Sequence, residues 1–189
     1  MEMSMTATRS KFGFWKTALI YGGLAGFLII SIMVAGFLTL GLQSSAGSQA
    51  FGFLLMFFIL SLIFFGMKRF RDIDQGGVIK FSQALSLGLA MSLFAGIAYI
   101  IIWEIYLAIT DHSFIQLYTD QLVDSQKSKG VSGEALSDFN KKMEDMRESY
   151  AKPGYRIPLT FLEIFPMGFI VTLISALSLH RPKFWARKI

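Results

Sequence analysis

The sequence predicts an all-α membrane protein: four transmembrane helices in a bundle, plus an extracytoplasmic amphipathic helical hairpin between helices three and four. Three observations predict it. Of 189 residues, 53% are hydrophobic and 16% charged, with nineteen Phe and a mean hydropathy of +0.53, more apolar surface than a soluble core of this size needs. Four apolar runs each reach the roughly 20 residues that cross hydrocarbon. Lys and Arg are distributed unevenly among the connecting segments, as they are when basic loops orient membrane helices. We read residues 1–189 as one integral-membrane domain.

The first run, Thr17–Leu42, follows Arg9, Lys11 and Lys16 and precedes the small-residue stretch SSAGSQA. It is much longer than the roughly 7–15 residues of a signal-peptide core, so a retained helix is expected. The second run, Gln49–Met67, contains no charge before Lys68; the third, Ala84–Ile109, carries Glu104. The fourth, Leu159–His180, carries Glu163 and Pro166.

Eleven Lys and Arg lie in the N-terminal segment, the loop between runs two and three, and the C-terminal segment, against Glu2, Asp72 and Asp74. The first loop has none, and the third, residues 110–158, has seven against eight acids. This asymmetry predicts that both termini and the second loop are cytoplasmic. Trp15 and Trp185 then fall at the inner interface, and Trp103, Tyr106 and Tyr155 at the outer one. The expected location is a bacterial inner membrane, with the lipid bilayer as the first partner.

The outer loop is too long to be structureless in a compact protein. Phe114, Leu117, Tyr118, Leu122 and Val123 recur at helical spacing. After the Gly130–Gly133 break, Leu136, Phe139, Met143, Met146 and Tyr150 do so again. Two amphipathic helices ended by Pro153-Gly154 are expected. Their stripe either packs on itself and on the bundle's outer end, or docks a partner helix or a second copy.

Within lipid, helices associate by close backbone approach. Helix one offers Ala18, Gly22 and Gly26; helix three Ala84, Gly88, Ser92 and Gly96; helix four Gly168, Thr172 and Ala176. These ridges serve contacts within one chain or between copies. Helix two, rich in Phe, is expected to face lipid.

Glu104 lies near the outer end of helix three and Glu163 near the outer start of helix four, each about 6–8 Å inside the boundary at 1.5 Å per residue. An intramembrane acid is a functional candidate. Two carboxylates sharing a site would hold a proton or cation between them, and Pro166 frees the carbonyl of Leu162 beside them. Against this, each Glu can reach water, or pair with Arg156 or His112 from the outer loop.

The second loop reads FFGMKRFRDIDQGGVIKF. Lys68, Arg69 and Arg71 sit where anionic headgroups and a helix C-terminus attract cations, and Gly76-Gly77 permits a turn with positive φ. Asp72 pairs with Arg71 or leaves it to the backbone. The elbow is thus a stop-transfer turn, or a contact for headgroups or a cytoplasmic partner. The pattern Gly66, Lys68, Arg71-Asp72, Gly76-Gly77, Phe81, Ala84 and Gly88, with YGGLAG in helix one and FLEIFPMGFIVTLISAL in helix four, resembles an uncharacterised bacterial integral-membrane family, domain-of-unknown-function family 4199. The resemblance implies four spans and an inner-membrane setting, and brings no activity or catalytic residue.

The chain has no Cys and two distant His, and no Walker loop, GxSxG or HExxH. A non-enzymatic accessory or scaffold protein is expected, with no cofactor, metal or nucleic-acid partner, and with a homo-oligomer or a membrane-protein partner in view. The alternative is a small oligomeric ion- or proton-coupled transporter using Glu104 and Glu163.

Overall fold

The computed structural model describes residues 2–41 and 49–181, with side chains in the first helix from Phe12 onward. The expected positions of Leu42, Trp185 and the basic residues Lys183, Arg187 and Lys188 lie outside the described residues, as do the side chains of Arg9 and Lys11. The described chain runs α1 (Glu2–Leu40), α2 (Gln49–Leu60), α3 (Leu62–Arg69), a π-helical turn (Phe70–Asp74), α4 (Phe81–Ile109), α5 (Ser113–Ser128), α6 (Gly133–Tyr150) and α7 (Pro153–Leu179). Four segments are long and apolar enough to cross a membrane: Phe12–Leu40, Ala50–Asp74, Phe81–Ile109 and Pro153–Leu179.

The first span starts at Phe12 rather than Thr17 and the third at Phe81 rather than Ala84; two further boundaries move for local reasons. The fourth helix starts at Pro153, six residues earlier than hydropathy places it. Proline fits the first helical position, where its missing N–H would have no partner anyway, so Pro153 begins α7 rather than only ending the hairpin. The second span runs past Met67 to Asp74 and is interrupted at Ser61. There Ser61 Oγ donates to the Phe58 carbonyl at 2.5 Å, and its N–H is shared between the Phe57 and Phe58 carbonyls at 3.3 Å. Such back-bonding by a serine bends helices.

α4 is the central helix, packed on α1 along one side and on α7 along another. The glycine ridges explain how. A Cβ on Gly22 would overlap the backbone of Met91, and one on Gly26 the backbone of Ala95. On the other side a Cβ on Gly96 would come 2.7 Å from the Phe161 ring, and one on Gly168 2.7 Å from Ser92 Oγ. Gly88 lies under the side chains of Met67 and Thr172. Ser92 Oγ reaches the Gly88 carbonyl at 2.9 Å and Thr172 Oγ1 at 3.2 Å across the α4–α7 seam. The small-residue ridges therefore meet within one chain. Phe51, Phe53, Phe57, Phe58 and Phe65 of the second span point outward, as a lipid-facing helix requires.

α5 and α6 form a hairpin turned at Lys129–Ser132, with Gly130 and Gly133 at positive φ. Arg147 of α6 staples it: Nε donates to Thr119 Oγ1 at 2.6 Å and Nη2 to Asp120 Oδ1 at 2.6 Å. The turn from α4 into α5 is tight, with Asp111 and His112 both at positive φ, and the His112 N–H reaching back to the Leu107 carbonyl at 2.8 Å. Phe114 then packs edge-on to Trp103 at 4.7 Å and beside Phe37 at 5.8 Å, seating α5 on the end of the bundle.

Candidate functional site

The hairpin end of the bundle gathers most of the polar chemistry. Arg156, in the first turns of α7, is almost wholly buried. Its Nε and Nη2 donate to Glu104 Oε1 and Oε2 of α4 at 2.7 and 2.6 Å, a two-pronged pairing that fits the planar guanidinium to the carboxylate. Nη1 donates to the Tyr150 carbonyl at 3.0 Å and the Ala151 carbonyl at 3.4 Å, where α6 ends. One guanidinium thus joins α4, α6 and α7. The Tyr150 ring lies 5.8 Å from the guanidinium carbon, and its hydroxyl accepts from Trp103 Nε1 at 2.8 Å. Burial pushes the Tyr150 hydroxyl up to about 12, so it stays neutral at physiological pH.

Glu104 and Glu163 therefore take different surroundings. Glu104 is held by Arg156, one of the two partners open to it in the sequence. Glu163 is exposed to a cavity of about 690 Å³, where it interacts with Tyr99 of α4. Pro166 stands on the exposed side of α7, and Leu162, whose carbonyl it frees, lines the same cavity. The walls come from every helix around this end: Met33 and Phe37 of α1, Gly52 and Met56 of α2, Trp103 of α4, and Tyr118 and Gln121 of α5. Among the described residues no group of three or more His, Cys, Asp or Glu converges to hold a metal ion.

At the opposite end the elbow closes on α7. Phe70 and Arg71 are fully buried, Phe70 edge-on to Phe14 of α1 at 6.1 Å. Arg71 Nε donates to Asp72 Oδ1 at 2.8 Å, Lys68 Nζ to Asp72 Oδ2 at 2.7 Å, and Arg71 Nη1 to the Leu179 carbonyl at 3.4 Å. The sequence offered Arg71 a pairing with Asp72, which is present, or a place among headgroups at the interface. The Arg71 side chain turns inward rather than toward headgroups and caps the C-terminus of α7, where a cation complements the helix dipole. Arg69 alone of the KRFR cations is exposed. Gly76 and Gly77, at φ of 66° and 92°, return the chain to α4, and the Gly77 N–H bonds the Arg71 carbonyl at 2.8 Å.

Two features were hidden in the sequence. The cavity is lined by six helices, and no local pattern announces it. The burial of Arg71 depends on Leu179, 108 residues away; the only local signal was an Arg-Asp pair followed by Gly-Gly.

Residues 20–181 match the family model described as Protein of unknown function (DUF4199). No curated protein and no solved structure matches the chain.

Proposed function

The chain belongs to the DUF4199 family, and from that premise we propose a non-enzymatic, multi-pass protein of the bacterial inner membrane that acts as an accessory or scaffold component. Both termini and the elbow lie in the cytoplasm, and the α5–α6 hairpin is held outside it as a contact surface. The observation that carries this reading is the Arg156 joint. It ties the end of α6 to α4 and α7 through four donated hydrogen bonds. A bundle jointed in this way presents its hairpin in one orientation. Leu117 and Met146, on the hairpin and outside the spans, are 55% and 37% exposed and would supply the apolar part of that contact surface.

The competing reading, an oligomeric transporter built on a shared Glu104–Glu163 site, loses support. Arg156 takes both oxygens of Glu104. The small-residue ridges that would have joined copies are occupied within the chain.

Two experiments test the proposal. The sequence has no Cys, so single cysteines report topology cleanly: Ser137→Cys should react with a membrane-impermeant maleimide in whole cells, and Val78→Cys in the elbow should not. The reverse pattern overturns the orientation. A photo-crosslinking residue at Leu117 or Met146 should give discrete protein adducts in living cells, while one at Phe58 gives lipid adducts. Hairpin positions that yield no protein adduct overturn the scaffold role.

A further inference from the structure

The cavity beside Glu163 has the size and lining of a small-molecule site rather than of a packing defect. Its volume of about 690 Å³ lies within the roughly 300–1,000 Å³ of ligand pockets, which combine apolar walls with a few converging polar groups. The polar groups here are neutral or acidic: the hydroxyls of Tyr99, Tyr118, Ser125 and Tyr150, the Gln121 amide, and the Glu163 carboxylate. Among the described lining residues Glu163 is the only charged one, and no Lys, Arg or His accompanies it. The nearby guanidinium of Arg156 is bound to Glu104 and so does not compensate the Glu163 charge.

We propose that this cavity binds an amphipathic organic cation, its charged centre held by Glu163 among aromatic rings and its apolar groups against the walls of α1 and α2. Aromatic faces attract cations through their quadrupole, most strongly where water is excluded. Trp103, Tyr99, Tyr118 and Phe114 supply such rings around the carboxylate-bearing chamber. A bare metal ion does not fit: a single carboxylate in a chamber this wide offers too few ligands. An anion meets the Glu163 charge without a cation to offset it. The apolar walls Met33, Met56 and Leu162 favour a ligand that carries hydrocarbon with its charge. This site stands independently of the hairpin's role as a contact surface.

The test uses the full chain in maltoside micelles, which carry no amine. The probes are tetraphenylphosphonium and tetraphenylborate, matched in shape and opposite in charge. The cation should bind saturably at one site per chain, at least about tenfold more tightly than the anion. Glu163→Gln should remove most of that preference, and Glu163→Asp should keep it. Gly52→Leu offers a second route, because a Cβ at Gly52 meets only Met33 Cε, at 4.0 Å. The Cβ is thus accommodated, and a larger side chain grown from this cavity-lining position should abolish saturable binding. Added phosphatidylethanolamine separates two sources of the same chemistry: competition assigns the site to a lipid amine, and its absence to a free organic cation. Unsaturable partitioning by the wild type, equal affinity for both probes, or binding unchanged by both Glu163→Gln and Gly52→Leu would overturn the proposal.

Discussion

Arg71 and Arg156 stand at opposite ends of the bundle and do closely similar things. Each is buried, each pairs with an acid, and each donates to carbonyls at a helix C-terminus, Leu179 for Arg71 and Tyr150 and Ala151 for Arg156. They differ in how closed they are and in where the acid comes from. Arg71 takes its neighbour Asp72, whose side chain is 8% exposed; Arg156 takes Glu104 from 52 residues away, 29% exposed. The elbow is a sealed lock whose ion pairs are local and whose cap on α7 is long-range. The hairpin joint is a long-range lock beside a cavity. The same residue types thus serve pure architecture at one end and border a binding chamber at the other. An intramembrane charge is read correctly only after its partner and its access to solvent are known.

Removing one member of each lock breaks the comparison most directly. Arg71→Ala leaves Asp72 with Lys68 as its remaining partner and uncaps α7; removing one member of a buried pair costs up to about 3–5 kcal/mol, the largest loss expected here, measured as unfolding of the purified protein in mixed micelles. Wild-type stability in that variant would mean that the elbow is not a lock. Glu104→Gln leaves the Arg156 charge without its carboxylate in a more open setting, and about 2–3 kcal/mol is expected. A cost equal to that of Arg71→Ala would erase the distinction between sealed and open ends. Tyr150→Phe removes only the acceptor for Trp103 Nε1; an unpaired donor costs about 1–3 kcal/mol, and the Trp fluorescence should shift with it. Lys68→Ala removes the i, i+4 partner of Asp72, whose Lys side chain is 26% exposed. Less than about 1 kcal/mol is expected, a difference small enough to vanish in high salt.

The four spans were legible because hydropathy and loop charge are local sums. Their ends were less so: Pro153 could read as a stop or as a first helical residue, and only the run of α7 through Pro158 decides it. The small-residue ridges were visible as a pattern at Gly22, Gly26, Gly88 and Gly96, but periodicity does not say which helix fills each groove. The pairing of Glu104 with Arg156 stood in the sequence as one option among several. Choosing it required the start of α7 to be brought beside the end of α4. The cavity was not legible at all, since volume is what remains when six helices fail to fill the space between them. Glu163, singled out for its depth on α7, was the one residue that pointed toward it.

The contact between Arg71 and the Leu179 carbonyl spans 108 positions, and this has a consequence for biosynthesis. When the first three spans have entered the bilayer, α7 does not yet exist. The elbow guanidinium, already paired with Asp72, then has no α7 carbonyl to cap, and the face of α4 bearing Gly88, Ser92 and Gly96 is bare to lipid. Emergence of the last helix covers both at once. A chain cut short before residue 153 lacks the Leu179 carbonyl that Arg71 meets and leaves the polar Ser92 seam of α4 without its partner Thr172.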